Sequence, residues 1–438
     1  MALAARLSAF SEPDLEAYAA NHDPLHVLVG KAPPDPFTVI LSLVAGLFLL
    51  VGSQEHRNMT RTVFYYTDSN TFGGVERAML QHMEGLDRSA WLPVLVYHPE
   101  AGISHMLQEA AHLDVRLVKM PHLPLGLSGA RQIPAFKAML HAEHPAVFHA
   151  HLSWPLACKW GLVAALFEGV PAVVATLHLW VDTSYTPSSR WQQGLIATRL
   201  GKYIAVSRDI AQKLEQVFNV SASKLQVIHS SVDIHRYIDA INLVPPTESA
   251  HFQDRPIILT VARLDQQKGL PTLLEAAAQL PEAVFVLVGE GPQRPALEAQ
   301  RRELGLENRV VFTGFRQDIP AWLGICRLFV LPSLYEGVPI SLLEAMAAGK
   351  PVIASAIPGN DEAVTHAETG WLFAPGDAGS LVKAIKLLLA DQNLAQSLAS
   401  AGQARVQREF SSQAMNQQIM QVYTELLEKT RKGRRFFG

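Results

Sequence analysis

The stretch LFVLPSLYEGVPISLLEAMAAGKPVIA, Leu328–Ala354, places a helical pattern between two short apolar runs. The first run, Leu328–Leu331, predicts a buried strand. Pro339 is typical of the first residue of a helix, because the N–H group that it lacks is not needed there. Ile340–Ala348 then predicts a helix, and Gly349 predicts its end.

Val352–Ala354 predicts the next strand, so the stretch forms a strand–loop–helix–strand unit. Ligands of such units bind at the carboxyl end of the first strand. Glu336 lies in the loop there, and Glu344 shares a helix face with Ile340 and Ala348. A helix N-terminus attracts a diphosphate, and carboxylates accept hydrogen bonds from sugar hydroxyls. The unit therefore suits a nucleotide sugar. The alternative is that Glu344 is a solvated helix residue and Glu336 a charge in a loop.

The string E-G-x-P-x-x-x-L-E-A-M-A-x-G-K-P-V that begins at Glu336 resembles the glutamate-pair signature of retaining glycosyltransferases of the group 1, or family 4, type. That large family includes sucrose synthases and bacterial mannosyl- and glucosyltransferases. The resemblance covers roughly residues 62–427 and is strongest in 260–377. It implies an α/β fold of two Rossmann-like, doubly wound domains facing a central cleft (GT-B). The second domain would hold the donor and the first domain the acceptor, with Glu336 beside the transferred sugar and with Ile340 and Glu344 as donor contacts.

Length and composition agree with two domains and exclude some partners. A chain of 438 residues is too long for one comfortable core. A net charge of −3 gives no electrostatic case for binding nucleic acid. The two cysteines, Cys158 and Cys326, lack the spacing of a metal or redox site, which predicts a reduced, cytoplasmic protein.

The order of the predicted elements divides the chain into five segments. Tyr237–Pro256 loses the alternation of strands and helices and contains Pro245-Pro246, as a linker does. The segments are an amino-terminal extension (1–58), an acceptor-side domain (59–240), a linker (241–256), a donor-binding domain (257–411), and a crossover helix with a basic tail (412–438).

The extension contains one apolar run, Phe37–Ser53, of seventeen uncharged residues. This run is at the short limit for a membrane span and lacks Trp and Tyr anchors. A signal peptide is not indicated, because the run begins late and no basic segment directly precedes it. Three interpretations stay open: a membrane anchor, a buried or interfacial helix, or non-native translation upstream of Met59.

The first predicted domain contributes a glycine loop and a histidine. Gly73 and Gly74 follow the first strand and allow close approach of a ligand to the backbone; their position resembles the family's loop that reaches the donor. The strand Val147–Ala150 carries His149 and His151 on one face. A histidine at a strand end is more often structural, but the resemblance implies one beside the transferred sugar. His151, nearer the loop, is the candidate, as a hydrogen-bond partner of the sugar or as a general base.

Two further stretches of this domain stay open. Trp180–Trp191 mixes aromatic, hydroxyl and basic residues, and is interpreted either as an acceptor groove or as a surface loop. The string V-I-H-S-S-V-D, from Val227, resembles the family's strand and loop near the hinge. It has His229-Ser230 where Asn-Gly is commoner.

The predicted strand Ile257–Val261 opens the second domain, and the string T-V-A-R-L-D-Q-Q-K-G-L runs from Thr260. Arg263 and Lys268 follow a strand and precede a helix, which suits a diphosphate clamp. The resemblance implies the same role for both. In related enzymes the backbone around Phe315 and Arg316 meets the nucleotide base.

Two glycine turns complete the predicted donor contacts. Gly289 ends the strand Val284–Val288. In I-P-G-N-D-E-A-V, Gly359 and Asn360 align with a family loop that usually reads Gly-Gly-x-x-Glu. Pro358 replaces the first glycine, which predicts a different loop backbone.

The chain contains no Asp-x-Asp, so neither a metal nor any other cofactor is predicted. Arg263, Lys268 and helix N-termini would meet the charge of the leaving diphosphate. No second carboxylate is evident for a covalent intermediate, which favours front-face transfer through an ion pair.

The last predicted helix, Ser412–Lys429, would cross back to the first domain through one apolar face. That face consists of Met415, Ile419, Val422, Tyr423 and Leu426. The tail Lys429–Phe437 has five basic residues and Phe436-Phe437. It is interpreted either as a contact with the anionic inner face of a membrane or as a solubilising tail.

The prediction from the sequence is thus a retaining hexosyltransferase that moves a sugar from a nucleotide donor to a lipid-linked or polysaccharide acceptor. The alternatives are an epimerase or phosphorylase of the same architecture, or an inactive nucleotide-sugar-binding scaffold. Glu336, Glu344, Arg263 and Lys268 argue against the scaffold, since a binder without turnover does not need all four. The sequence leaves the sugar, the base and the linkage open.

Overall fold

The computed structural model describes residues 60–124, 126–181, 183–252 and 255–436. The predicted extension, with Phe37–Ser53 and Met59, lies outside these residues, as does Phe437. Apart from Arg61 and Trp91, which begin two strands, the elements below belong to one compact unit, Thr62–Leu86 with Leu92–Gly438. None of the described helices is long and apolar enough to cross a bilayer.

The first sheet has seven strands. They are β1 Arg61–Tyr66, β2 Trp91–Tyr97, β3 Arg116–Lys119, β4 Val147–Leu152, β5 Ala172–Leu177, β6 Lys202–Ala205 and β7 Leu225–Val227. Their order is β3-β2-β1-β4-β5-β6-β7, and the pairs β1–β4, β2–β3, β4–β5, β5–β6 and β6–β7 are parallel. Every residue of β4 and β5 is buried, as expected for parallel strands covered on both faces.

The helices that follow these strands lie between residues 74 and 218. They are α1 Gly74–Glu84, α2 Ser104–His112, α3 Leu127–Ala130, α4 Ile133–Glu143, α5 Lys159–Glu168, α6 Pro187–Arg199 and α7 Arg208–Phe218. The segment Trp180–Trp191 is therefore not one loop, because α6 begins within it, after Thr186, whose side chain accepts a hydrogen bond from the Ser189 N–H at 3.2 Å.

The second sheet has six strands. They are β8 Ile257–Val261, β9 Val284–Val288, β10 Val310–Gly314, β11 Leu328–Leu331, β12 Val352–Ser355 and β13 Trp371–Phe373. Their order is β10-β9-β8-β11-β12-β13, and all neighbouring pairs are parallel. In both sheets the first strand lies inside and the chain winds outward on both sides of it, which confirms the prediction of two doubly wound, Rossmann-like domains.

The helices of the second half cover both faces of this sheet. They are α8 Leu270–Ala278, α9 Arg294–Glu303, α10 Ile319–Ile325, α11 Ile340–Ala347, α12 Asn360–Ala363, α13 Ala378–Ala390 and α14 Gln392–Glu409. Alternate residues of the strands enter two apolar clusters: Leu259 and Phe329 pack into one, and Ile258 and Val330 into the other. The 3-10 turns Ala240–Asn242 and Thr247–Phe252 occupy the predicted linker.

The stretch Leu328–Ala354 folds as β11, α11 and β12, with one correction. Pro339 is the N-cap of α11, with an extended backbone (φ −74°, ψ 121°), and not its first residue. Its carbonyl accepts the N–H groups of Leu342 at 3.2 Å and Leu343 at 3.3 Å. The helix ends at Ala347, and Gly349 adopts the left-handed conformation (φ 65°) beyond it.

The last helix, α15, spans Ser412–Phe436 and is longer than predicted. It packs against the first domain, as the resemblance implied: Asn416 Nδ2 donates to the Gln81 carbonyl of α1 at 3.3 Å, and the Tyr423 hydroxyl lies 2.6 Å from His149 Nδ1 of β4. Met415, Ile419, Val422 and Tyr423 are buried. The basic segment from Lys429 thus continues the helix.

Candidate active site

The predicted donor-binding groups gather where β8 and β11 end. These two strands are neighbours at the point where the strand order of the second sheet reverses. Ligands of open α/β sheets bind at such a point. Arg263 and Lys268 follow β8, and Glu336 follows β11, so the fold brings all three to one edge.

Three side chains hold the Glu336 carboxylate. Lys268 Nζ and Ser333 Oγ donate to Oε1 at 2.5 and 2.7 Å, and Gln267 Nε2 donates to Oε2 at 3.2 Å. Glu336 is only 8% exposed. Its orientation is therefore fixed by a charged and two neutral donors. Neither Ser333 nor Gln267 carried a signal in the sequence.

Gly269 brings Lys268 close to this carboxylate. The residue is left-handed (φ 59°), and a Cβ there would lie 2.2 Å from the Pro332 carbonyl oxygen. The backbone after β8 can therefore approach the end of β11 only with glycine at this position. Arg263 is more accessible: its side chain is 56% exposed, and its Nε donates to Asp265 Oδ2 at 2.5 Å.

Glu344 lies in a separate environment on α11. It is 4% exposed, and Tyr237 donates its hydroxyl to Oε1 at 2.6 Å. Arg77 Nη1, from α1 of the first domain, lies 3.9 Å from the same oxygen. Burial first, and then the charge of Glu344, raises the pKa of Tyr237 well above its usual value, which keeps this hydroxyl a donor. The sequence did not predict either partner.

A cavity of about 210 Å³ opens beside Arg77. Phe315 and Gln317, which follow β10, and Arg236 line it together with four residues of α2, namely His105, Gln108, Glu109 and His112. The Phe315 ring is half exposed and meets His105 edge-on, with 5.2 Å between ring centroids. The cavity thus offers an aromatic surface, and Arg77 links its lining to Glu344, the carboxylate predicted to bind ribose.

The glycine loop of the first domain has two distinct parts. The Gly73 N–H donates to Glu76 Oε2 at 2.9 Å, within the first turn of α1. A Cβ on Gly74 would meet no heavy atom within 4 Å in the described part of the chain. The backbone at Gly74 is therefore open to a ligand, whereas Gly73 makes a structural hydrogen bond.

The prediction for His151 needs correction. His149 and His151 share a face as predicted, with 4.4 Å between ring centroids, but both are fully buried. The pairing with β5 continues to Leu152, so His151 lies within β4 and not at its end. Burial and the neighbouring histidines lower the pKa of His151 well below its usual value. Direct contact with a donor sugar does not fit this position.

His178, directly after β5, is the partly exposed histidine of this group. Its Nε2 lies 3.0 Å from His151 Nδ1. A Cβ on Gly337 would lie 2.1 Å from the His178 carbonyl oxygen, so the loop that carries Glu336 rests against the end of β5. His178 belongs to no motif of the sequence, and only its position after a strand distinguishes it.

Behind His178, the rings of His82, His149 and His151 each place a nitrogen within 4.8 Å of the others. His149 already contacts the Tyr423 hydroxyl at 2.6 Å and Thr176 Oγ1 at 2.7 Å. Of the ring nitrogens in this trio, His82 Nδ1 and His151 Nε2 are buried without a hydrogen-bond partner among the described residues. Two such nitrogens are fewer than the three protein ligands of a catalytic zinc site. The trio is better described as packing between β4, α1 and α15.

Three other predicted donor contacts have structural roles. Arg316 donates to Asp318 and Glu248 at 2.7–2.8 Å, and these contacts raise its pKa. Asn360 is fully buried and donates to the Ser355 carbonyl at 3.0 Å. A Cβ on Gly289 would lie 2.0 Å from the Ala262 carbonyl oxygen. The side chain of Asn360 is therefore not free to contact a donor. The predicted contact of the base with the backbone around Phe315 and Arg316 does not involve the Arg316 side chain and stays a prediction.

Gly359 and Ile340 remain close to the predicted sugar site. Gly359 has φ 89°, and a Cβ there would lie 1.7 Å from the Gly337 carbonyl oxygen. The loop after β12 therefore touches the loop that carries Glu336. Ile340, the first residue of α11, is half buried.

Known proteins resemble the chain over most of this structure. Residues 72–236 match the family described as Glycosyltransferase Family 4, and residues 246–405 match the family described as Glycosyl transferases group 1. The 2-deoxystreptamine glucosyltransferase of Streptomyces kanamyceticus is 31% identical over 324 residues, which cover 66% of this chain and 83% of the relative. The Escherichia coli UDP-Gal:alpha-D-GlcNAc-diphosphoundecaprenol alpha-1,3-galactosyltransferase is 28% identical over 341 residues, which cover 73% and 86% of the two chains.

A solved structure agrees in fold. HepE from Anabaena, in complex with UDP and glucose, superposes with a TM-score of 0.72 at 25% identity. The match covers 84% of this chain and 100% of HepE.

Proposed function

The chain belongs to the group 1 (family 4) glycosyltransferases of the GT-B fold, and on this premise we propose that it transfers a sugar, with retention of configuration, from a nucleotide diphosphate sugar. The observation that carries the proposal is the contact of Lys268 with Glu336 where β8 and β11 end. A cation for the diphosphate and an oriented carboxylate for the sugar thus meet at the edge where such sheets bind ligands.

The proposed reaction uses these groups in order. Arg263 and Lys268 bind the diphosphate and stabilise its charge as the glycosidic bond breaks, because they are preorganised donors. Glu336 lies beside the sugar ring as positive charge develops there. We propose front-face transfer through an ion pair without a metal, since the sequence contains no Asp-x-Asp.

We propose a UDP-sugar as the donor. HepE was solved with UDP and glucose, and the Escherichia coli relative is named for UDP-Gal. Glu344 would accept the ribose hydroxyls, and the base would enter the cavity between Phe315 and α2. Tyr237 and Arg77 already orient Glu344 for this role.

We propose a lipid-linked or polysaccharide acceptor, bound by the first domain, in cell-envelope glycan or glycolipid synthesis. The Escherichia coli relative is named for a diphosphoundecaprenol-linked acceptor, and the Streptomyces relative for 2-deoxystreptamine. The basic end of α15 would place the enzyme at the inner face of the membrane. At this end of α15, Lys429, Arg431 and Lys432 are exposed.

The test is release of nucleoside diphosphate from a panel of UDP-, ADP- and GDP-sugars in EDTA. We expect slow hydrolysis of one donor to survive the chelator. Lys268→Ala should weaken binding of the free nucleoside diphosphate about ten- to a hundredfold, because a charged hydrogen bond contributes about 1.5–3 kcal/mol. The exposed Lys383→Ala variant on α13 is the matched control.

Each contrary result has a distinct meaning. Conversion of one nucleotide sugar into another without release of nucleotide would indicate an epimerase. Binding of donors without any turnover would indicate a scaffold. Loss of activity in EDTA that Mg²⁺ or Mn²⁺ restores would refute metal independence.

A further inference from the structure

Glu362 of the second domain caps a helix of the first domain. Its two carboxylate oxygens accept the N–H of Arg208 at 2.8 and 2.9 Å, and Oε1 also accepts the N–H of Asp209 at 3.3 Å. These are the first two residues of α7. The N–H of the third, Ile210, goes to the N-cap Ser207 Oγ at 3.1 Å. A carboxylate from a distant segment thus completes a first turn that its own N-cap leaves unsatisfied.

His229 strengthens this contact from the other side. Its Nε2 lies 2.9 Å from Glu362 Oε2. Burial raises the pKa of Glu362, but the hydrogen bonds from His229, Arg208 and Asp209 outweigh it and hold this pKa below its usual value. The carboxylate therefore stays charged at neutral pH, where the positive end of the α7 dipole favours it.

The loop that carries Glu362 also touches the loop that carries Glu336. Gly359 lies against the Gly337 carbonyl, and Gly337 lies against the His178 carbonyl of the first domain. On the side of the second domain, Arg405 Nη2 donates to the Glu362 carbonyl at 2.9 Å. A displacement of Glu362 would therefore reach the Glu336–Gly337 backbone through Gly359.

We propose that Glu362 is a positioning residue for the transfer reaction. By binding the N-terminus of α7, it fixes the Gly359 loop, and through that loop it holds Glu336 at the sugar. The contact joins residues of both domains, so it exists only while the two are adjacent as in this structure. His229 makes the contact with an imidazole where the resembling family commonly has asparagine. The proposal rests on the proposed function.

The experiment compares Glu362→Ala and Glu362→Gln with the control Glu368→Ala, an exposed glutamate six positions further on. We expect Glu362→Ala to lower kcat for donor hydrolysis about ten- to a hundredfold, the equivalent of one lost charged hydrogen bond. The Kd for UDP should change less than about twofold, because Arg263, Lys268 and Glu344 do not contact Glu362. Glu362→Gln keeps one acceptor oxygen, so its kcat should lie between the kcat of Glu362→Ala and that of the control.

A second pair tests His229. His229→Asn retains a side-chain donor and should keep most of the activity, whereas His229→Ala should resemble Glu362→Gln. Equal losses for Asn and Ala would show that hydrogen bonding to Glu362 is not what this residue contributes.

Hydrogen exchange gives a readout that does not need turnover. In Glu362→Ala, amides of residues 207–211 and of residues 335–338 should both exchange faster, whereas the control should match the wild type. Faster exchange at 207–211 alone, or unchanged kcat in a folded Glu362→Ala, would overturn the proposal. A wild-type enzyme without turnover would refute the proposed function instead, and the exchange result would still decide on the link.

Discussion

Glu336 and Glu344 differ in their partners, and this difference predicts different kinetic effects. Glu336 contacts Lys268, a predicted phosphate ligand, whereas Glu344 contacts Tyr237 at the predicted ribose site. Ribose is remote from the breaking bond, so its contact should be equally strong in the ground state and the transition state. Loss of such uniform binding raises KM and leaves kcat nearly unchanged.

Glu336→Gln should instead lower kcat about a hundredfold or more, as expected when one preorganised electrostatic contact is removed. Glu344→Gln should mainly raise the KM for the donor and the Kd for free UDP. Steady-state kinetics on both variants, with UDP titrations, separate the two roles. A Glu336→Gln enzyme with full kcat beside a Glu344→Gln enzyme without it would reverse the assignment. If neither variant changed the kinetics, Glu336 and Glu344 would have structural roles only.

At the scale of the element, strands were the most predictable feature. Parallel strands covered on both faces give uninterrupted apolar runs, and β9 and β11 have the predicted bounds. The β4 prediction stopped early, because the polar His151 looked like the start of a loop. The neighbouring His149 is covered partly by α15, whose Tyr423 contacts it from 274 positions away.

In the candidate site, too, the residues of local motifs were predictable, whereas their distant partners were not. The motifs placed Glu336, Arg263 and Lys268 at one edge because each follows a strand end, and they placed Glu344 on the helix α11. No local pattern showed that Glu248 would accept a hydrogen bond from Arg316, or that Glu362 would cap α7. Such partners come from loops far away in the sequence, and only the folded chain brings them together.

The loop after β12 offers a test of close approach, because its Gly359 can be compared with Gly376, which follows β13 and also has a positive φ. Gly359 (φ 89°) would place a Cβ 1.7 Å from the Gly337 carbonyl oxygen. At Gly376 (φ 75°) a Cβ would meet no heavy atom within 4 Å in the described chain. Gly376→Ala should therefore cost only the backbone strain, about 1–2 kcal/mol of unfolding free energy, and keep full activity. Gly359→Ala should add a shift of the Glu336–Gly337 loop and lower kcat at least about tenfold. Urea denaturation and donor hydrolysis measure both effects, and equal behaviour of the two variants would contradict the contact.

At the scale of the whole molecule, α15 closes the chain over a group of four histidines. Three of them, His82, His149 and His151, are buried and His178 is partly exposed, and this group predicts loss of stability in acid. Burial lowers the pKa of all four histidines. It lowers the pKa of His149 and His178 to about 3, and the pKa of His82 and His151 well below the usual value. In the unfolded chain these groups titrate near 6.5, so below that pH the unfolded state binds protons that the folded state does not. The free energy of unfolding should therefore be nearly constant above about pH 7.5 and fall below about pH 6.5, by up to about 1.4 kcal/mol per pH unit for each histidine.

Urea denaturation at several pH values between 7.5 and 5.5 measures this slope. His82→Leu should reduce the slope by about one proton, whereas His251→Gln, at an exposed position, should leave it unchanged. A slope that is the same in both variants would show that these histidines do not control the acid sensitivity of the fold.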